Sequence, residues 1–207
     1  MHPDYENYKR ELSRFKELGL PGVKLHPVYQ GVALNDIRNL RIIERAAEPG
    51  LIVLTHTGYD VGYPGLPLCS PKMAREVIDT IGDFCFVLAH MGGWMQWDEV
   101  PCYLADTGCF LDTAFSTGKM TWRKEYGRLH LPEQMLDPEG FMRLVDAFGS
   151  KRILFGTDSP WSDAESELSF IKELSLSEEE KRDILGENAL RVLQRAITRF
   201  LPDSFAR

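Results

Sequence analysis

Residues 153–161 read ILFGTDSPW. Ile153, Leu154 and Phe155 make a short buried strand, and the run then closes on Gly156, Thr157 and a carboxylate, Asp158. Pro160 follows two residues later and stops the element. A carboxylate at the end of a buried strand is costly unless it is paired, caps the next element or faces a cation. Four other stretches have the same construction: GVKLH (22–26), LIVLTH (51–56), FCFVLAH (84–90) and CFLDTAF (109–115). With RILFGTD (152–158) they make five apolar runs, and each carries a polar residue at or near its C-terminal end.

Helical spacing fills the intervals. Tyr8, Leu12, Phe15 and Leu18 fall on one face, as do Ile37, Leu40, Ile43 and Ala47 behind an Asn35 cap. Ser70-Pro71 opens a helix carrying Met73, Ala74, Val77, Ile78 and Ile81. Asp137-Pro138 opens another with Phe141, Leu144, Val145 and Phe148. Ser177 and Glu180 form a capping box ahead of Ile184, Leu185, Leu190 and Leu193. The Trp-rich segment 92–108 is expected to contain a further helix. Strands alternating with amphipathic helices pair in parallel, and strands apolar along their whole length are buried on both faces. An open doubly wound sheet and a (β/α)8 barrel both fit. At about 40 residues per unit a full barrel needs on the order of 250–300 residues. A chain of 207 residues with five strands falls three units short.

Both folds bind ligands at the C-terminal ends of their strands. There the chain places Lys24 and His26, then His56, His90, Asp112 and Asp158. Side-chain alternation groups His56 with Leu54 and Ile52, His90 with Leu88 and Phe86, and Asp158 with Gly156 and Leu154. Rotating each strand aims all of them into one mouth. A single strand-end histidine is ordinarily a hydrogen-bonded structural residue. Three on successive strands, with an aspartate on the last, point to a site, and imidazole with carboxylate suits zinc, iron or manganese. Alone, Asp158 reads equally as an N-cap, Lys24 as a solvated lysine and Asp112 as a turn acid. Trp94 and Trp97 read as helix packing, and His2 and His130 carry no role.

Composition narrows the classes. With 43% hydrophobic and 27% charged residues, one domain spanning 1–207 is expected. A formal net charge of -7 argues against a nucleic-acid partner or a polybasic membrane patch. No apolar run approaches the roughly 20 residues of a membrane span, and the polar N-terminus is no signal peptide. Cys69, Cys85, Cys102 and Cys109 form no CxxC pair and read as reduced thiols of a cytoplasmic protein. No GxGxxG or GxxxxGK[ST] motif supports a nucleotide site.

GVKLHP, LTHTG, LAHMGG, LDTAFS and FGTDSPW, in this order and with these gaps, resemble the amidohydrolase-related family. This is the branch of the metal-dependent hydrolases that includes the aminocarboxymuconate-semialdehyde and resorcylate-type decarboxylases. The likeness runs to the closing ENALRVL. It implies a (β/α)8 barrel with a divalent metal, zinc first and manganese or iron as alternatives. The five motifs then become strands 4 to 8. It also implies His56 as metal ligand, His90 beside the reactive water, and Asp158 as ligand or proton acceptor. Lys24 and His26 become possible metal or substrate contacts, and Lys24 occupies a place where other branches carry a carboxylated lysine. The family's strand-1 His-x-His pair has no counterpart, and MHPDYENYKREL resembles the end of strand 3 entering helix 3.

The expectation is therefore a partial TIM barrel of five parallel strands, N-terminally truncated. Its expected function is that of a metal-dependent hydrolase acting through a metal-activated water on a small carboxylate, amide or ester. A decarboxylase of an aromatic or enolic acid, and an inactive partial barrel serving as a binding module, are the alternatives. Loops 57–69 and 116–136 would shape the pocket, with Arg123 and Trp161 contacting substrate; a guanidinium matches a carboxylate bidentately. Two ligands alone bind metal weakly unless His90, Lys24 or His26 joins. Two open sheet edges imply a homo-oligomer.

Overall fold

The computed structural model describes residues 1–63, 65–117 and 135–198. Strands β1 (Gly22–Leu25), β2 (Ile52–Thr55), β3 (Phe86–Leu88), β4 (Phe110–Asp112) and β5 (Ile153–Leu154) form one sheet in the order β1-β2-β3-β4-β5. Every neighbouring pair is parallel. A doubly wound sheet reverses its order at a switch point, whereas a barrel adds strands in sequence. The sequential order therefore decides for part of a barrel. Each ladder is shorter than its apolar run because the chain leaves the sheet before the polar strand-end residues.

Around the sheet lie α1 (Tyr8–Glu17), α2 (Pro27–Gln30), α3 (Ile37–Ala47), α4 (Pro71–Ile81), α5 (Val100–Leu104), α6 (Pro138–Phe148), α7 (Ala164–Glu173), α8 (Glu178–Arg182) and α9 (Asn188–Thr198). Ser70 accepts from the Met73 N–H, Asp137 from the Gly140 N–H, and Ser177 with Glu180 closes its capping box. At α3 the cap is Asp36, not Asn35, whose amide instead donates to Glu76. Helix α5 begins after both tryptophans, so Trp94 and Trp97 lie in the preceding loop. The single helix expected after Ser177 is divided by a π-helical turn, Asp183–Glu187. That turn rotates the following face. Leu190 and Leu193 are exposed, and Val192 and Ala196 are buried in their place.

The register sorts the strands into two cores. Val23, Leu25, Val53, Phe86, Leu88, Leu111 and Ile153 pack on the helices α3, α4 and α6. On the other face Ile52, Val87 and Leu154 meet Val192 and Ala196 of α9. A bridge from Thr117 to Leu136 closes the base of the long loop. Residues 118–134, with Trp122, Arg123, Arg128 and His130, lie outside the described residues. No described helix is long and apolar enough to cross a membrane.

Candidate functional site

His56 follows β2, and the chain then passes tightly over the end of β3. Gly58 has φ 91°, and a Cβ there would lie 2.1 Å from the Trp94 backbone nitrogen. Only glycine allows this crossing, which the Gly58–Trp94 bridge fixes. It carries Tyr59 and Asp60 back over the sheet, toward His56.

His90 reaches the site by another route. Alternation groups it with Leu88 and Phe86, which face the helices. Strand β3 stops at Leu88, and His90 and Met91 turn left-handed at φ 61° and 52°. That turn overrides the alternation and swings the imidazole toward β2. Asp112 holds the turn, its Oδ1 accepting from the His90 N–H at 2.9 Å and from the Ala114 N–H at 3.1 Å. Trp97 Nε1–H donates to the His90 carbonyl at 2.9 Å. His90 Nδ1 meets the Ala114 carbonyl at 2.7 Å, and its Nε2 meets His56 Nδ1 at 2.9 Å. On its other side His56 Nε2 faces the Tyr59 carbonyl at 3.0 Å. The His26 ring stacks on His56, centroids 4.2 Å apart.

Both His56 and His90 are only 5% exposed. Burial first, then neighbouring imidazole and ammonium charge, brings His56 to about 2. His90 falls to about 3 and His26 to about 4, again mainly by burial. Burial raises the carboxyls of Asp60 and Asp158, and takes Asp112 to about 6 against the opposing pull of Lys24. Lys24 is exposed to solvent, yet desolvation lowers its ammonium while Asp112 and Asp158 pull it back up. Neutral imidazoles are the form that binds metals.

All of these groups except Asp112 border one cavity of about 230 Å³. Lys24, His26, His56, His90 and Asp158 face it, with Trp161 at its rim, 51% exposed. Trp94 and Phe115, nearly parallel at 14°, form an aromatic wall. The ligand atoms of His26, His56 and Asp60 lie within 4.8 Å of one another. Metal–ligand bonds of about 2 Å put two ligands of one tetrahedral cation about 3.4 Å apart; Asp60 Oδ2 lies 3.5 Å from His26 Nε2 and 3.8 Å from His56 Nε2, so the donor set fits a divalent ion of the zinc or manganese type. Asp158 lines the cavity from outside that cluster. Asp60 was not visible as a site residue in the sequence. Its one signal is the spacing His-x3-Asp beyond the end of β2.

The family model described as amidohydrolase matches residues 3–195. The chain belongs to the amidohydrolase family. This amidohydrolase chain is 27% identical over 215 residues to the 2-amino-3-carboxymuconate-6-semialdehyde decarboxylase of Dictyostelium discoideum, covering 91% of the chain and 57% of that relative. It thus spans little more than half the length of the curated relative. Its fold matches a dihydroxybenzoic acid decarboxylase from Polaromonas sp. JS666, solved with manganese and the inhibitor 2-nitroresorcinol. There the TM-score is 0.64 at 15% identity, over 100% of this chain and 69% of that one. An uncharacterised TIM-barrel protein from Bordetella bronchiseptica matches with TM-score 0.68 at 20% identity, over 90% and 62%.

Proposed function

We propose that the site serves a metal-dependent decarboxylase acting on a small aromatic or enolic carboxylic acid. The observation that carries this reading is the buried His56–His90 pair beside an aromatic wall, in a chain similar to two named decarboxylases. Hydrolysis, the activity first expected from the sequence, becomes the second reading. An apolar wall disfavours the localised carboxylate charge and so favours its spreading into the substrate's π-system as neutral carbon dioxide leaves.

The reaction breaks the bond between the substrate carbon and its carboxylate. The electron pair stays on the carbon, carbon dioxide leaves, and one proton is delivered to that carbon. When bound, a divalent cation supplies Lewis-acid charge to the substrate's oxygens; manganese and zinc both suit nitrogen and oxygen donors. Trp94, Phe115 and Trp161 hold a planar acid, and Lys24 offers it a counter-charge. Asp158, its pKa raised by burial, is the proton donor. His90, fixed by Ala114 and Asp112, orients His56 and excludes water from the buried side.

The test is to incubate the chain with Mn²⁺ and a panel of hydroxybenzoic acids. Carbon dioxide release and solvent-deuterium exchange into the product ring are followed. Turnover is expected to fall about 10²–10⁴-fold in Asp158→Asn. Hydrolysis of esters or lactones with no carbon dioxide and no exchange would replace this reading with the hydrolase.

A further inference from the structure

Residues 94–97 carry two indoles with different partners. Trp97 Nε1–H donates to the His90 carbonyl at 2.9 Å. Trp94 is only 2% exposed, and its Nε1–H is buried without an acceptor among the described residues. Two other buried side-chain atoms there lack a partner, Asn39 Oδ1 and Gln96 Oε1, and neither residue borders the cavity. Trp94 does border it, as half of the aromatic wall. The backbone that carries its ring is fixed on both sides. The Trp94 N–H donates to the Thr57 carbonyl at 2.9 Å, and the Trp94 carbonyl accepts from the Tyr59 N–H at 3.0 Å. Phe115 stacks on the ring, centroids 5.8 Å apart. A buried donor left unpaired lowers stability, so folded proteins rarely keep one. Here one is kept in a wall of the cavity that takes the substrate.

We propose that Trp94 is a specificity-determining residue, whose indole N–H reads a hydrogen-bond-accepting oxygen on the bound acid, separate from its carboxylate. An indole donates and cannot accept. The group it reads is therefore an acceptor: a ring hydroxyl, a methoxy or an oxo oxygen. The carboxylate is the wrong partner, since a donor on it would stabilise the charge that the reaction must move off it. Lys24 supplies the counter-charge there instead. With a methyl group in place of the second oxygen, the N–H stays unpaired and is covered by apolar surface as well. Rejection of that acid thus needs no steric clash. A site built to pair a substrate's polar group discriminates far more strongly than one that merely accommodates a methyl. This role rests on the reading of the cavity as a decarboxylase site, and it narrows the substrate to acids that carry a second oxygen.

The experiment titrates the 207-residue chain, with Mn²⁺ present, by calorimetry. Its probes are the hydroxybenzoates and methoxybenzoates, each against the methylbenzoate of the same substitution pattern. Trp94→Phe keeps an aromatic ring beside Phe115 and removes the donor. The wild type is expected to bind at least one oxygenated isomer about 10-fold more tightly than its methyl counterpart. In Trp94→Phe that ratio should fall to about one while the methylbenzoate binds as before, which also shows that the variant folds. Proton NMR of the wild type reads the donor directly and keeps the test decisive should the variant not fold. The Trp94 indole signal, assigned by replacing the other three tryptophans one at a time, should move downfield with the oxygenated acid and not with the methylbenzoate. Equal affinities in the wild type, a preference that survives in folded Trp94→Phe, or an indole signal that does not respond would overturn the role and leave the acid site standing. A preference lost in Trp94→Phe, with no carbon dioxide released from any acid, would support the role and remove the decarboxylase. A folded wild type that binds none of these acids would overturn both.

Discussion

Asp112 shows what one side chain costs and contributes here. Its Oδ1 pins two backbone N–H groups and thereby sets the turn that brings His90 to His56. Burial holds its pKa near 6, against the opposing pull of Lys24. Below the ordinary carboxylate value near 4 the group is protonated folded or unfolded, and it costs nothing. As pH rises from about 4 to about 6 the unfolded chain releases the proton and the folded chain keeps it, so stability falls. Above pH 6 the loss is constant, on the order of 3 kcal/mol. An asparagine keeps the accepting oxygen and removes the charge. Asp112→Asn is therefore expected to gain on the order of 1–3 kcal/mol at pH 7 and about a third of that at pH 4.5, in urea unfolding with chelator present. A loss at pH 7 would mean that the ionised carboxylate stabilises the fold through Lys24. That His56, His90 and Asp158 line one cavity was legible at this scale, because a barrel's polar residues collect at strand ends. The route of His90 was not, since a period-2 pattern cannot encode a left-handed turn at a histidine. Asp60 lies past the strand, where no periodicity applies.

Among the elements, α7 shows best where sequence reading stops. It carries AESELSFIKE, and its buried positions are Glu167 and Ile171. A buried glutamate interrupts the apolar stripe by which a helix is recognised, so α7 was not anticipated, and neither was the four-residue α2. The strands and the other long helices were legible because continuous apolar runs and cap residues survive in the sequence. Glu167 is 2% exposed and accepts from two hydroxyls, Ser162 Oγ at 2.6 Å and Thr117 Oγ1. It thus ties the turn beyond Asp158 to the base of the loop that leaves β4. Glu167→Ala strands both hydroxyls and is expected to cost about 2–4 kcal/mol. Glu167→Gln should recover most of that, since its amide oxygen accepts one hydroxyl and its NH2 can donate to the other. Melting curves of the two variants check this, and equal losses would show that side-chain volume, not hydrogen bonding, holds the segment.

For the whole molecule the decisive fact is a sheet with ends. A closed barrel has no edge strands, but among the described residues β1 and β5 each have one strand neighbour. Exposed strand edges are templates for pairing, and proteins commonly guard them with lysine. Lys24, exposed in the middle of β1, stands where such a guard would stand. The face beside it carries Leu54 and Phe110, both only partly buried. Charge on the edge opposes association, while the unpaired backbone and half-covered apolar side chains favour it. Backbone pairing extends along four residues and the charge occupies one, so association should win at high concentration. Sedimentation equilibrium of the 207-residue chain is expected to give an average mass above that of one chain, rising with concentration. Lys24→Val should steepen the rise without altering the fold seen by circular dichroism. A single-chain mass for both proteins at every concentration would show that the edges are protected by something other than Lys24.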